Sequence, residues 1–348
     1  MSGPIEPPVH AARRRLLAGL AGLSGLGALP ALPVAQALAR PSGLIAQTAS
    51  TRVIVDNDFA GDPDGLVALA HQLLSPKTRT VLITSSALDT GLARMAGLDP
   101  ASRAAAGARL ARELLRRLGM QHAPAVAAGA ERFGQDQDRG NPAALAIAAE
   151  ALRDDPLPLV VACGGPLTNV AAALRLKPEI AGRMSLVWIG GSAASAGGAE
   201  YNQDTDLAAA RHVLEASTLP VLQIPLEEYR RFQVSVAELD DAFRPMSPVS
   251  QWLYDQYRQL PPFVKPGGTL TFGDSPLVSA TAFDPAACAS APRQVRRLLD
   301  GGGYGDAVEA RQVRMAHSLD PRLNWADFLA LLRAHARSGK APAKFPVW

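Results

Sequence analysis

The chain has 348 residues, of which 48% are hydrophobic and 19% are charged. This composition argues against a largely disordered chain and provides for one large hydrophobic core or two smaller ones. Lysine and arginine together exceed aspartate and glutamate by only 3, from 35 against 32, and aromatic residues make up 5%. With so little excess positive charge, and no segment that interleaves basic and aromatic residues, we expect no binding to nucleic acid.

The first 39 residues have the pattern of a secretory signal peptide. Arginines at positions 13–15 precede a run rich in leucine, alanine and glycine, and two Ala-x-Ala cleavage patterns end at residues 37 and 39. The pair Arg13-Arg14 also resembles a twin-arginine export signal. An uncleaved membrane anchor is the alternative, but the apolar run is short and is interrupted by glycines and Pro30. We therefore predict that residues 1–39 are removed and that the protein is exported to the periplasm or beyond the cell.

From residue 51 onward, short apolar runs alternate with helical patterns. The apolar runs predict strands at residues 53–56, 80–84, 123–127, 157–162, 185–189 and 219–224. The segments between them predict helices at residues 66–74, 101–118, 143–152, 168–176 and 208–216. The predicted strands are apolar throughout rather than at alternate positions, which is typical of parallel strands covered on both faces. We predict an α/β fold in which an open, mostly parallel sheet carries helices on both faces, as in a Rossmann-like core.

The remaining chain predicts no second domain. Residues 227–262 have an amphipathic helical pattern, and the chain closes with a predicted strand at residues 312–315 and a helix at 325–337. No linker-like segment divides residues 40–348, which are therefore predicted to form a single domain. Cys163 and Cys288 lie in apolar stretches and are predicted to be buried thiols, with one disulfide between them as the alternative.

An acidic turn follows the first predicted strand. Four aspartates fall within nine residues between this strand and the next helix, at Asp56, Asp58, Asp62 and Asp64. Carboxylates this close repel one another unless a cation or a positively charged group lies among them. Right-handed crossovers place all strand-to-helix loops of a parallel sheet at one edge, where ligands bind. We therefore predict a site for a hard metal ion at the carboxyl edge of the sheet.

Three later segments are candidates to complete this site, and each also has a simpler structural interpretation. Residues 160–169 read VVACGGPLTN, whose glycines let backbone approach a ligand but also suit an ordinary strand-to-helix turn. Residues 188–206 form a long loop of small residues that carries Glu200 and Asn202, and such loops bind sugars or phosphates or are merely solvated. Residues 272–278 read FGDSPLV, in which Asp274 is either a metal ligand or the cap of the following helix.

Together these segments resemble the nucleoside hydrolase family of the inosine-uridine-preferring type. Residues 52–69 are similar to the family's strand, aspartate cluster and helix, and GPLTNVAAALRLKPEI at residues 165–180 is similar to its second signature. The segments at residues 189–202 and 273–278 follow in the family's order. The resemblance extends from residue 52 to the final predicted helix.

This resemblance implies a calcium-dependent N-glycosidase that acts on a small, nucleoside-like substrate. Asp58 matches the family's calcium ligand that also serves as general base for the attacking water. Asp274 matches a later aspartate ligand, and the carbonyl of Gly164 matches a backbone ligand. Glu200 and Asn202 match residues that hold the ribose hydroxyl groups. Many family members are homo-oligomers, so we expect one here.

The chain departs from the family within the acidic turn. The family has two adjacent aspartates before the helix, and here that pair reads Asp64-Gly65. Asp64 takes the place that contacts ribose, and Gly65 stands where a strong calcium ligand belongs. We predict that Asp62 or Asp64 supplies the missing ligand.

Two further departures concern the base and the sugar. Gly273 stands where many members have a histidine that helps to protonate the leaving base. Tyr254 and Tyr257 are candidates to stack on the base or protonate it, or they only pack a helix over the sheet. Near residues 84–88, where the family commonly has a sugar-binding asparagine, the chain offers Ser85 and Ser86.

The leading hypothesis is therefore an exported hydrolase that cleaves the N-glycosidic bond of ribonucleosides with a metal-activated water. A second hypothesis is a hydrolase of another glycoside or of a nucleotide derivative on the same scaffold. A third is a sugar- or nucleoside-binding protein that has lost catalysis. The preserved Asp58 and Asp274 argue against the third, whereas Gly65 argues for it.

Overall fold

The computed structural model describes residues 45, 47–61, 63–95, 97–120, 122–134, 141–259 and 267–339. The predicted signal peptide and Asp62 lie outside these residues. All elements and contacts given below belong to residues 47–339. Among the helices that are described, none combines the length and the apolar character needed to span a membrane.

An open sheet of eight strands forms the centre of the molecule, in the order β3-β2-β1-β4-β5-β6-β10-β9. Seven of these strands are parallel, and β9 pairs antiparallel with β10. A separate antiparallel ribbon joins β7 and β8. The strands are β1 (Thr51–Asn57), β2 (Thr78–Ser85), β3 (Ala125–Ala128), β4 (Leu159–Cys163), β5 (Ser185–Ile189), β6 (Val221–Ile224), β7 (Gln233–Ser235), β8 (Thr269–Thr271), β9 (Ser290–Leu298) and β10 (Tyr304–Ala316). The prediction of an open, mostly parallel sheet is confirmed.

Twelve α-helices are described around the strands, and several are a single turn. They are α1 (Pro63–Leu74), α2 (Thr90–Met95), α3 (Arg103–Arg117), α4 (Pro142–Leu152), α5 (Thr168–Leu176), α6 (Tyr201–Thr205), α7 (Leu207–Arg211), α8 (Leu226–Tyr229), α9 (Val236–Glu238), α10 (Pro248–Gln256), α11 (Pro276–Ala282) and α12 (Pro321–Arg337). Short 3-10 or π-helical segments occur at Pro178–Gly182, His212–Ala216, Leu239–Phe243, Arg244–Met246, Tyr257–Gln259 and Pro285–Ala287.

Strand β1 contributes side chains to two hydrophobic cores, because successive side chains point to opposite faces of the sheet. Val53 and Val55 belong to a core that also includes residues of α1, α3 and α12. Ile54 belongs to a second core with residues of α4, α5 and α7. Both faces of the sheet are thus covered by helices, which explains why the parallel strands are apolar throughout.

Two stretches differ from the sequence prediction. Residues 227–259, the described part of the predicted helical region 227–262, do not form one amphipathic helix. The chain passes there through α8, β7, α9, a π-helical segment and α10. Near the C-terminus the predicted strand at 312–315 is only the last part of β10, and its partner β9 was not predicted. The reason is that β9 exposes most of its side chains, so it lacks the apolar run by which the inner strands were found.

The strand order reverses between β1 and β4. Chain order proceeds outward through β2 and β3 on one side, and through β5 and β6 on the other. In open α/β sheets such a reversal leaves a crevice at the carboxyl ends of the two central strands, because their outgoing loops diverge. The acidic turn follows β1 and the glycines at 164 and 165 follow β4, so both segments begin at this crevice.

Candidate functional site

The loops that follow β1 and β4 are in direct contact. Asp56 pairs with Cys163 in the sheet, and the Gly164 amide donates to the Asp56 carbonyl at 2.9 Å. A Cβ atom at Gly164 would lie 2.4 Å from Asn57 Nδ2 and 2.6 Å from Asp274 Oδ1. Because a side chain does not fit there, glycine at 164 allows the backbone to approach the polar side chains.

Beneath the crevice, Asp56, Thr84, Cys163 and Asn169 form what we call the buried polar layer. The Thr84 hydroxyl donates to Asp56 Oδ1 at 2.5 Å, the Asn169 amide to the same oxygen at 2.8 Å, and the Cys163 thiol to Oδ2 at 3.4 Å. Burial raises the pKa of the Asp56 carboxyl, and these donors oppose the rise. Asp56 therefore ties β1 to its two neighbouring strands rather than facing the crevice.

Three buried aspartates follow the strands of this region, and we call Asp58, Asp64 and Asp274 the carboxylate cluster. These three side chains are 2%, 7% and 2% exposed, respectively. Asp64, in the first turn of α1, accepts the Asp274 backbone N–H at 3.2 Å on its Oδ2. Asp274 Oδ2 in turn accepts the Asn57 amide at 2.6 Å. The structure thus brings together predicted site residues that lie more than 200 positions apart.

Asp58 and Ser86 lie beside Gly165, the second glycine after β4. A Cβ atom at Gly165 would lie 2.8 Å from Ser86 Oγ and 3.3 Å from Asp58 Oδ1. Ser86 is fully buried, and among the described residues its Oγ has no hydrogen-bond partner. Ser85 instead packs against Gly107 of α3. Of the two serines singled out in the sequence, Ser86 is therefore the one beside the carboxylate cluster.

The Glu200 and Asn202 side chains are held by the loops around them. Glu200 Oε2 accepts the backbone N–H groups of Gly191 and Gln203, at 2.8 and 2.9 Å. Asn202 Nδ2 donates to the carbonyls of Gly164 and Ile189, each at 3.0 Å. Both side chains thus fix the loop after β5, and Asn202 also binds it to the loop after β4. Their contact with ribose stays a prediction.

Tyr229 was missed by the sequence reasoning. Its hydroxyl donates to Glu200 Oε1 at 2.8 Å. A Cβ atom at Gly273 would lie 3.2 Å from Tyr229 Cδ2 and 3.3 Å from Asp64 Oδ2. Burial and the Glu200 carboxylate strongly raise the pKa of the Tyr229 hydroxyl, so it remains a protonated donor. Its position in α8, the short helix that follows β6 at the carboxyl edge of the sheet, was the signal that could have found it.

The two tyrosines predicted to contact the base are placed differently. The Tyr254 hydroxyl donates to Asp240 at 2.5 Å, and the Arg244 guanidinium lies 5.6 Å from its ring centre. Tyr257 packs against Phe272, with ring centres 5.3 Å apart. Since Phe272 directly precedes Gly273 and Asp274, Tyr257 adjoins the site segment, whereas Tyr254 contacts residues of its own helical region.

The donor set of the crevice fits a hard cation. Within the described part of the chain, no group of three or more His, Cys, Asp or Glu side chains is spaced to hold a metal ion by itself. Calcium, however, also binds amide and carbonyl oxygens and water. The Gly164 carbonyl and the buried Asn57 Oδ1 supply such oxygens beside the carboxylate cluster, and no described group donates to that Oδ1. Asp62 lies outside the described residues, so its predicted role as a ligand stays a prediction.

The cysteines take no part in a disulfide. Both are free and buried, as predicted, and the disulfide alternative is excluded. Burial raises the pKa of the Cys163 thiol well above its ordinary value, and the neighbouring Asp56 carboxylate adds to the rise. Burial raises the pKa of Cys288 to about 11.

Comparison with curated proteins finds short matches. The chain is 33% identical over 104 residues to the pyrimidine-specific ribonucleoside hydrolase RihA of Salmonella arizonae, a match covering 29% of this chain and 33% of that protein. It is 30% identical over 119 residues to RihA of Salmonella typhi, covering 32% and 38%, respectively. The chain therefore spans about a third of the length of the curated relatives it matches.

Solved structures share the fold over much greater lengths. The inosine-uridine preferring nucleoside hydrolase of Bacillus anthracis superposes with a TM-score of 0.62 at 18% identity, over 81% of this chain and 99% of that one. The plant nucleoside hydrolase PpNRh1 gives 0.63 at 18% identity, over 82% and 99%. The family model described as inosine-uridine preferring nucleoside hydrolase matches residues 53–325. The chain belongs to this family.

Proposed function

We propose that the protein is an exported hydrolase that cleaves the N-glycosidic bond of ribonucleosides, with a water activated by Asp58 and a bound Ca²⁺. The observation that supports this most directly is the hydrogen bond between Asp64 and the Asp274 backbone, 210 positions apart, with Asp58 also buried next to the end of β1. Membership of the family supports the reaction class. Relatives are named for pyrimidine and for inosine-guanosine substrates, so the proposal is limited to ribonucleosides as a class.

Asp58, Asp64, Asp274 and the Gly164 carbonyl would hold the cation. When bound, the cation would make a coordinated water more acidic. The Gly164 carbonyl accepts one hydrogen bond from Asn202 and retains a second lone pair that can bind a cation.

Different residues of the chain would carry out the individual steps of the reaction. Asp58 takes a proton from the attacking water as general base, and the resulting hydroxide adds to the sugar carbon. The carbon–nitrogen bond breaks, and its electron pair leaves with the nucleobase. The nucleobase takes up a proton from solvent, and Asp58 returns its proton to solvent after product release. Positive charge develops on the sugar as this bond breaks, and the carboxylates of Asp64 and Glu200 stabilise it. The Tyr229 ring provides an apolar wall beside Gly273 on which the base can stack.

The activity is tested by incubating the purified protein with a panel of ribonucleosides, with Ca²⁺ or with a chelator, and measuring the released base by chromatography. We expect base release that requires Ca²⁺ and is lost in Asp58→Asn. Binding of nucleosides without release would instead support a protein that has lost catalysis. Release only from other glycosides would support the second hypothesis.

Export is tested separately by cell fractionation and by sequencing the N-terminus of the mature protein. We expect the protein in the periplasm or the medium, with an N-terminus close to residue 40. Replacement of Arg13 and Arg14 by lysine should leave the precursor in the cytoplasm if the twin-arginine interpretation is right. A full-length protein that remains in the cell would contradict it.

A further inference from the structure

The amide of Asn57 occupies the space beside Gly65. A Cβ atom at Gly65 would lie 2.7 Å from Asn57 Nδ2 and 2.8 Å from Asn57 Oδ1. Such contacts are too short, so any side chain at position 65 would displace Asn57. Glycine in the interior of a helix costs about 0.5–1 kcal/mol relative to alanine, and Gly65 lies in the first turn of α1. The Asn57 side chain explains why glycine stands at position 65, because the amide fills the space that a side chain there would need.

The strand geometry directs Asn57 into the crevice. Alternate residues of β1 point to opposite faces, so Asp56 faces Asn169 while Asn57 faces the loops that carry Gly65 and Gly164. Asn57 is fully buried at the end of the strand. Its side chain therefore contacts both segments that follow the two central strands.

The two polar atoms of this amide have different surroundings. Nδ2 donates to Asp274 Oδ2 at 2.6 Å, a short bond to a carboxylate. Oδ1 is buried, and no donor among the described residues reaches it. A buried carbonyl oxygen without a donor is costly unless something else satisfies it. A cation held by the carboxylate cluster would satisfy it, since calcium accepts asparagine oxygens as ligands.

We propose that Asn57 supplies, through its side-chain oxygen, the metal ligand that is missing at Gly65. The amide also orients Asp274 through its N–H, so one side chain both binds the ion and positions a second ligand. This assignment rests on the proposed function only in taking the ligand to be a hard cation such as Ca²⁺. Asp64 remains a ligand in this assignment, Asn57 adds the oxygen that position 65 lacks, and the role of Asp62 stays a prediction.

The test measures Ca²⁺ binding to the chelator-treated protein by calorimetry, and the shift of the melting temperature on adding Ca²⁺. In Asn57→Ala we expect the dissociation constant for Ca²⁺ to rise about 10- to 100-fold, as for loss of other supporting groups at metal sites. The double variant Asn57→Ser with Gly65→Asp returns a carboxylate to position 65 and shortens the residue that blocks it. We expect it to recover binding to within about tenfold of the unaltered protein.

Two single variants and a control complete the set. Gly65→Asp alone should lower the melting temperature without tightening binding, because the new side chain meets Asn57. Asn57→Asp keeps the shape and an oxygen ligand, but places a carboxylate against Asp274, so Ca²⁺ should stabilise it more than the unaltered protein. Gln72→Ala is the matched control. It removes a buried amide eight residues beyond Asp64, about 12 Å along α1, and should bind Ca²⁺ normally.

Normal Ca²⁺ binding by a folded Asn57→Ala, or a double variant that binds no better than Asn57→Ala, would overturn the assignment. An unaltered protein that releases base without binding Ca²⁺ would also overturn it while leaving hydrolysis intact. Conversely, Ca²⁺ binding that is lost in Asn57→Ala, in a protein without nucleosidase activity, would support the assignment and contradict the proposed reaction.

Discussion

The buried polar layer and the carboxylate cluster lie next to each other but are built in opposite ways. Asp56, in the layer, accepts three hydrogen bonds from the strands and loops on either side of β1. Asn57, one residue later, contacts the cluster and keeps a buried oxygen that no described donor reaches. A buried polar group whose partners are all within the protein serves the fold, whereas one that no protein group satisfies leaves room for a water, an ion or a substrate. We therefore propose that Asp56 serves the fold and that Asn57, the next residue of the strand, serves ligand binding.

The largest effect should come from Asp58→Asn. This change keeps the shape of the side chain but removes the general base, so we expect kcat to fall about 10²- to 10⁴-fold. The melting temperature in chelator should change little, because asparagine keeps the volume of the buried side chain. Base release and thermal unfolding on the same preparation check both expectations. A large loss of stability would place Asp58 with the buried polar layer instead.

Asp56→Ala should show the reverse pattern. It leaves the Thr84 hydroxyl and the Asn169 amide without their buried acceptor, and we expect a loss of about 2–4 kcal/mol in the free energy of unfolding. Urea unfolding measures this loss. Asp155→Ala provides a comparison, because this carboxylate binds Arg52 and Arg79 at the opposite end of β1 and β2. If Asp56→Ala unfolds like the unaltered protein but cannot hydrolyse nucleosides, the division between layer and cluster is wrong.

Removal of metal should affect the cluster and not the layer. At a Ca²⁺ concentration of 100 times the dissociation constant, binding adds about 2.7 kcal/mol to the free energy of unfolding. A chelator should therefore lower the melting temperature of the unaltered protein. It should have a much smaller effect in Asp274→Asn, which loses a charged ligand. Equal chelator effects in the two proteins would show that the ion binds elsewhere.

Two substitutions of Tyr229 distinguish stacking of its ring on the nucleobase from hydrogen bonding of its hydroxyl to Glu200. Tyr229→Ala removes the ring beside Gly273, and we expect KM to rise about 10- to 100-fold, the equivalent of roughly 1–3 kcal/mol for a stacked base. Tyr229→Phe keeps the ring and loses only the hydroxyl bound to Glu200, so its KM should change less. Steady-state kinetics of the two variants measures both KM values and shows which role Tyr229 has. Equal losses in both would assign the contribution to the hydroxyl.

The smallest effect concerns the thiol of the buried polar layer. Cys163 is fully buried, and its surroundings raise its pKa, so it should not react with a thiol reagent at pH 8 while the protein is folded. Labelling followed by mass spectrometry should detect it only after unfolding. Rapid labelling of Cys163 in the native protein would show that the layer opens to solvent.

The sequence predicted the inner sheet well because buried parallel strands leave long apolar runs. It also predicted the loops that carry Asp58 and Gly164, since these follow strands of one sheet, whereas Asp274 follows the separate β7–β8 ribbon and was singled out by the family resemblance. The sequence predicted no role for Asn57 or Tyr229, because their roles depend on contacts between distant segments and not on a local sequence pattern. Asn57 directly follows the strand predicted at residues 53–56, and its proximity to Gly65 and Asp274 depends on how three loops meet. The exposed, arginine-rich strand β9 lacked the apolar pattern altogether.

The two hydrogen bonds of Asn202 have a consequence for affinity. They join the backbone after β4 to the backbone after β5, through the carbonyls of Gly164 and Ile189. Fixing the backbone of one residue of a flexible loop costs about 1–2 kcal/mol of free energy at room temperature, because conformational entropy is lost. Because these loops are already joined in the folded chain, that entropy is lost during folding. A ligand entering between the loops then binds to a crevice whose walls are preorganised.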